Sequence, residues 1–531
     1  MEAGAPRSGA ELSDPPSAGV PAGVQEEKQE PEPVVATRPA QAAPAVGLTP
    51  VQESYLARFT QRYVSRTKKS KDLTQQYRAK LADPRAAAGF RAQWKELVYP
   101  IVTGHSRGSR LWDLNGNEYI DIVNGFGATV FGHAPDFVVN AVRSQLDRGF
   151  EIGPQSPIAG KFAAMLCEMT GMDRATFRNT GSDAVMAAIR VARCVTGRSR
   201  IVMFSGSYHG IFDEVLTRGI QKAGGPRTVP IASGIPAQNL QNVTVLEYAS
   251  ASSLKWIEAH AGELAGVLAE PVQSHHPDLQ PKEFLRELRG ITKNSGSALI
   301  FDEGTTGFRV HPGGVQALFD IRADLTTYGK ALGGGLPIGV LAGSAEFMDA
   351  LDGGHWNYGD DSSPDRGVTF AGGTFVRHPL ALAAAEAVLD HLQEQGPALQ
   401  ERLNAKTGRL VAELNSCFEE AGLPSHVECF GSIFFFSFPP EERFASLLFY
   451  HLRANGVYVL EGYPCFLTTA HTEGDVKNIA EIFRRSVREM QEGGLFPPPP
   501  EKASVPDPLL QVSVTEAQSE ISRAVHGGVQ R

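Results

Sequence analysis

Cysteine is scarce in this chain. The five at Cys167, Cys194, Cys417, Cys429 and Cys465 have no paired spacing, which argues against a disulfide framework or a zinc site and favours a reducing, cytoplasmic setting. No apolar run approaches the ~18 residues that span a bilayer, so no membrane segment is expected. A net charge of −9 with no long basic stripe argues against nucleic acid as a partner. The N-terminus is acidic and Pro-rich rather than basic then apolar, unlike a signal peptide. Aromatic residues are nearly missing from the first 47 positions, so residues 1–48 read as a tail too poor in apolar surface to fold.

With 531 residues and 42% apolar content, the chain can bury a large core and form more than one unit. In residues 49–130, Tyr55, Leu56, Phe59 and Tyr63 recur at helical spacing, and Asn115-Gly116 between apolar alternations signals a hairpin. A large domain is expected over 131–385, a smaller α+β domain over 386–494 and a Pro-rich tail over 495–531.

The most informative stretch runs from Ser297 to Gly339. The apolar run Ala298 to Phe301 reads as a buried strand ending in Asp302 and Glu303, and in open α/β sheets ligands bind at the carboxyl ends of strands. A second strand, Ala323 to Tyr328, leads to Lys330, with Gly329 before it and Gly333 to Gly335 after. Most lysines are solvated charges. Glycines on both sides instead let backbone approach a bound group closely. Desolvation in such a pocket favours the neutral amine that condenses with a carbonyl. Pyridoxal phosphate needs such a lysine together with a carboxylate for its pyridinium nitrogen.

The segment FDEGTTGFR and the following HPGGVQALFDIRADLTTYGKALGGGLPIG resemble the signature of class III pyridoxal-phosphate aminotransferases, particularly the branch of glutamate-1-semialdehyde aminomutase. The resemblance implies a fold-type-I α/β enzyme with a mostly parallel sheet. It makes Lys330 the Schiff-base lysine and Asp302 the pyridinium partner. Gly304 departs from the family, which usually has a branched apolar residue there, and a looser or larger pocket is implied.

Further along the chain, Thr180-Gly181-Ser182 opens a helix whose apolar face is Val185, Ala188, Ile189 and Ala192. Taken alone this is a capped core helix; the resemblance makes Gly181 and Ser182 phosphate ligands, with Asp183 standing where glutamate is more usual. In the same way Tyr208-His209-Gly210 implies Tyr208 against the cofactor ring and His209 beside it. Gln273, delivered with Glu270 by another apolar strand, is implied as a partner of the cofactor's phenolic oxygen. Thr374 is implied to reach the neighbouring subunit's cofactor phosphate, which makes a homodimer the expected state. Gly125, Phe126 and Gly127 form either a pocket loop or a structural turn. His275 and His276 lack further ligands at metal spacing, so no metal is assigned.

The segments YLARFTQRYVSRTKKSKDLTQQYR, LADPRAAAGFRAQWKELVYPIV, EPVQSHHPDLQP and LDGGHWNYGDDSSP resemble aminotransferase domains of hybrid polyketide synthase and nonribosomal peptide assembly lines. Val512 to Ala524 resembles the opening of a condensation domain. This implies amino transfer from an amino-acid donor to a β-ketoacyl chain on an acyl carrier protein. An aminomutase, a transaminase of free substrates and a cofactor-binding scaffold are the alternatives. A free keto acid would demand a fixed cation, for which Arg309 is the nearest candidate in the central stretch; a structural role for it is the equal alternative.

Overall fold

Seven strands form the central sheet of the computed structural model, which describes residues 47–86, 90–222 and 225–500. They are β1 (Arg174–Arg178), β2 (Arg200–Phe204), β3 (Val243–Leu246), β4 (Leu264–Ala269), β5 (Ala298–Asp302), β6 (Leu325–Tyr328) and β7 (Gly339–Gly343), in the order β1-β7-β6-β5-β4-β2-β3. Only β7 runs against its neighbours, pairing antiparallel with both β6 and β1. Strands β4 and β5 are buried almost throughout, as expected of apolar runs covered by helices on both faces. The sheet is therefore mixed and mostly parallel, in agreement with the α/β expectation.

A second sheet builds the smaller lobe. Arg110–Asp113 and Glu118–Asp121 pair antiparallel across Asn115-Gly116, where Gly116 has φ +85°, a value that favours glycine. Val457–Tyr458, from the far end of the chain, adds to this hairpin in parallel. The expected N-terminal helix is two helices, Pro50–Arg66 and Lys68–Tyr77. They meet at Thr67, whose hydroxyl donates to the Tyr63 carbonyl and pairs with the Tyr99 hydroxyl. Thr49 and Gln52 close a capping box at the first helix start. Its Phe59 stacks on His451 at 3.9 Å, and Arg62 pairs with Glu489 at 2.6 Å, docking the arm on the C-terminal lobe.

Leu495 and Phe496 are buried, so packing continues just past the expected boundary at Gly494. Apart from residues 47–48 and 495–500, the expected tails, including the condensation-domain-like segment, lie outside the described residues. Among the described residues, no helix is long and apolar enough to cross a membrane.

The acidic pair ending β5 divides between two environments. Asp302 faces the cavity described below, whereas Glu303 turns into the core and accepts from the amides of Val315 and Gln316 and the Thr306 hydroxyl. Burial pushes Glu303 up to about 7 despite those donors. Its folded value lies above the ordinary 4.5, so the folded state binds the extra proton between these two values. Its contribution to stability is full at the acid end of that window and is lost as pH rises through about 7. The variant Glu303→Gln is accordingly expected to gain melting temperature relative to the parent between pH about 5 and about 8. A difference that stays constant across that range in thermal melts would contradict this.

Candidate active site

Where β5 ends, Asp302 is clamped by three donors. The Thr327 hydroxyl on neighbouring β6 donates to its Oδ1 at 2.9 Å, and the Gly304 amide donates to the same oxygen at 3.1 Å. His209 Nδ1 lies 2.8 Å from Oδ2. Burial pushes this carboxyl up, but the His209 bond and charge, with the two other donors, outweigh it and hold it below the usual carboxylate range. Asp302 is thus a buried, ionised carboxylate. The remaining ring nitrogen of His209, Nε2, is buried without a hydrogen-bond partner.

Lys330 follows β6 and has φ +40°, an uncommon left-handed conformation for a side-chain-bearing residue. Its Nζ donates to the Thr305 hydroxyl. Burial pushes the ammonium below the usual lysine range; Glu270 and Asp302 pull it back, and Arg309 adds to the downward push. The balance favours the neutral amine needed for nucleophilic attack.

The helix Gly181–Thr196 begins on the opposite wall. Thr180 caps it by accepting from the Asp183 amide at 3.2 Å, and the Asp183 carboxylate accepts from the Thr180 hydroxyl at 2.9 Å. The acid at this position serves its own helix start. The amides of Gly181 and Ser182 belong to the first turn and have no acceptor within the helix. Gly210 makes the approach possible: an added Cβ would lie 2.4 Å from Ser182 Oγ.

These elements enclose a cavity of about 170 Å³ lined by Gly181, Ser182, Tyr208, His209, Gly210, Glu270, Asp302, Gly304, Thr305, Gly329 and Lys330. Six of the eight expected site residues meet: Lys330, Asp302, Gly181, Ser182, Tyr208 and His209. The other two do not line it. Gln273 is buried beside it, with its amide nitrogen donating to the Ser205 carbonyl and the Ser207 hydroxyl, both at 2.8 Å. Thr374 is exposed, in a segment held to the outer side of the helix start through Arg178 and Arg190, which donate to the carbonyls of Ala371 and Phe370. Arg309, the candidate cation for a free carboxylate, is fully buried. It donates to Ser432 Oγ at 3.0 Å and to the Gly127 carbonyl, and lies over the Phe466 ring at 4.8 Å. Burial without an acidic partner pushes it down to about 9.

The donor set suits pyridoxal phosphate. Asp302 would meet the pyridinium nitrogen, the Gly181 and Ser182 amides the phosphate, and Lys330 the aldehyde carbon. Tyr208, with 52% of its surface exposed, would offer its ring as a cover. Fold and site together define a pyridoxal-phosphate-dependent enzyme of fold type I.

Comparison with known proteins specifies the family. The model described as Aminotransferase class-III matches residues 91–472, and the chain belongs to that family. It is 35% identical over 408 residues to a protein of Archaeoglobus fulgidus named glutamate-1-semialdehyde 2,1-aminomutase, covering 73% of this chain and 93% of the relative. Among solved structures it resembles an ω-transaminase from Sphaerobacter thermophilus, with TM-score 0.71 and 29% identity over 80% of this chain and 98% of that one. It also resembles the pyridoxal-phosphate form of FumI from Sphingopyxis sp. MTA144, with TM-score 0.68 and 26% identity over 80% of this chain and 96% of that one.

Thr305 and Thr327 went unassigned in the sequence. Thr327 stands opposite Asp302 in the β5–β6 register, a relation that residue spacing does not reveal. Glu270 was placed at a strand end but given no role; it lines the cavity and accepts from the Tyr208 amide at 3.0 Å, fixing the loop that presents the tyrosine.

Proposed function

We propose that this class III enzyme is an aminotransferase that moves an amino group from an amino-acid donor to the β-keto group of an acyl chain held on an acyl carrier protein, in polyketide or nonribosomal peptide assembly. The observation that carries the acceptor is the withdrawal of Arg309. Among the described residues lining the cavity, Lys330 and His209 are the only basic side chains, and both are engaged with Thr305 or Asp302. A thioester-linked acyl chain brings no carboxylate to place in the acceptor half-reaction, whereas a free keto acid, like the amino-acid donor, does. Resemblance of the flanking segments to assembly-line aminotransferase domains points the same way.

When bound, pyridoxal phosphate supplies the electron sink for the carbanion left at the substrate carbon. With the group bound, Lys330 Nζ would be the residue placed to accept and carry the donor's α-proton, with Thr305 orienting the amine. Asp302, held ionised by His209, Thr327 and Gly304, would hold the proton on the pyridine nitrogen. The cytoplasm is the proposed location, in keeping with the unpaired cysteines.

The proposed working unit is a homodimer. Its support is a set of exposed apolar side chains, Ile211, Phe370 and Phe375 among them, around the Gly181 helix start, with Thr374 in the same exposed segment. Thr374 would serve the partner's phosphate site.

Kinetics with a β-ketoacyl carrier protein, the free β-keto acid and a simple thioester under one donor test the acceptor. The carrier-bound chain is expected to show kcat/KM higher by about 10²-fold, the scale of gain that effective concentration provides. Equal or better use of a free compound would reject the carrier. The second reading is intramolecular amino transfer, favoured by the name of the Archaeoglobus fulgidus relative. It needs no external donor, so conversion of the bound cofactor to its amine form by glutamate or glutamine separates the two.

A further inference from the structure

A second cavity, of about 330 Å³, lies in the smaller lobe. Its walls include four tyrosines, Tyr99, Tyr450, Tyr458 and Tyr463, together with Arg453 and Glu461. Arg453 is only 6% exposed. Its guanidinium carbon lies 4.2 Å from the centre of the Tyr450 ring, and its Nε has no hydrogen-bond partner. Among the described residues, no carboxylate stands within ion-pair distance of Arg453 or basic group within that distance of Glu461. The other two charged residues of the lining, Asp83 and Arg85, satisfy each other at 3.2 Å.

A buried cation and a half-buried carboxylate therefore share one aromatic-walled cavity, attracting each other without coming to ion-pair distance. Leaving a buried charge unpaired is costly, and a ligand bearing both opposite charges would relieve both groups at once. The volume lies at the small end of the range for small-molecule sites. Tyrosine rings suit both an apolar body and an ammonium held over an aromatic face.

The cavity wall also meets the loop that carries Phe126. Tyr463 packs on Phe126 with ring centres 5.2 Å apart. Phe126 stands in a run of four residues with positive φ, Asn124 at +48°, Gly125 at +59°, Phe126 at +58° and Gly127 at +90°. Two of these bear side chains, a strained arrangement that marks functional loops more often than plain turns.

We propose that this cavity is a binding site for a free, zwitterionic α-amino acid with an apolar side chain, its carboxylate met by Arg453, its ammonium by Glu461 and its body by the tyrosine rings. The site is separate from the Lys330 cavity, and the proposal does not rest on the nature of the acceptor.

The probe must be unable to react with the cofactor aldehyde. N,N-dimethylleucine meets this need, because its tertiary amine keeps both charges but cannot form a Schiff base. Calorimetric titration of the holoenzyme is expected to show saturable binding of one molecule per chain with the cofactor absorbance unchanged. The amine-free analogue 4-methylpentanoate and the carboxylate-free N,N-dimethylleucinol are each expected to bind about 10- to 100-fold more weakly, the scale of one charge-assisted hydrogen bond. Arg453→Gln and Glu461→Gln are expected to weaken the zwitterion by similar factors. If Arg453→Gln fails to fold, Glu461→Gln on the cavity wall decides alone. Absence of saturable binding, binding that shifts the cofactor absorbance, or affinity unchanged in Glu461→Gln would overturn the proposal.

Discussion

Replacing Lys330 with alanine is expected to abolish the visible absorbance of the covalently bound cofactor and to lower turnover by at least about 10²- to 10⁴-fold, the usual scale for loss of a general acid-base group. The same side chain would serve as covalent anchor and proton carrier, so the loss exceeds that of either role alone. The fold should survive. Lys330 contributes one hydrogen bond to Thr305 and occupies a left-handed backbone position, so truncating its side chain removes little packing. Circular dichroism melts alongside the absorbance and rate measurements separate these effects. An unchanged absorbance together with unchanged turnover would refute the assignment of Lys330.

Gly339→Ala is expected to be the most damaging of the small substitutions. At the start of β7, an added Cβ would stand 2.0 Å from the Thr180 carbonyl oxygen and 3.2 Å from the Gly181 amide nitrogen. Both are backbone atoms that cannot swing aside, so β7 and the helix start must separate. The expected cost is at least about 1–3 kcal/mol of stability, with cofactor affinity falling as well if the displaced amides serve as the proposed phosphate donors. Gly160→Ala is the matched control. It lies within the helix Ile158–Thr170 with nothing within 4 Å of the added carbon, and a gain of about 0.4–1 kcal/mol is expected. Melting temperature and cofactor titration read both variants; a Gly339→Ala protein with parental values of each would contradict the proposed role of this contact.

Both experiments bear on how much of the site can be read from residues alone. Strand ends and glycines announced Lys330, Asp302 and the Gly181 turn, because apolar runs stop abruptly and the chain then needs backbone without side chains. Lys330 stood out from other lysines in the sequence because glycines bracket it. Arg309 stayed open between ligand and structural residue for a related reason: it sits five residues beyond Gly304 in the same stretch, but the turn between them carries it out of the cavity, where it ties Gly127 to Ser432. Nothing in its sequence neighbours distinguishes a buried clamp from a ligand. The Thr327–Asp302 bond depends on register, and the Thr305–Lys330 bond joins segments whose separation in space the spacing does not fix. The helical spacing of Tyr55, Leu56, Phe59 and Tyr63 likewise gave no sign of the interruption at Thr67, whose hydroxyl pairs with Tyr99 from outside the segment. Local periodicity carries no trace of that distant partner.

The pairing of Val457–Tyr458 with Glu118–Asp121 has a consequence for the order of assembly. Ile120, in the early hairpin, bonds in register with Val457 from near the end of the described chain. While the chain is being made, this sheet edge is already present, yet its neighbour strand emerges only after the whole central sheet has been synthesised. Contacts of such long sequence separation form late, because loop closure must be met before they contribute. The Lys330 site can thus take shape while the smaller lobe still has an open edge, and such an edge invites pairing with other chains. Refolding from denaturant should show this lobe, with its tyrosine-walled cavity, maturing last, and chains cut before Val457 should aggregate.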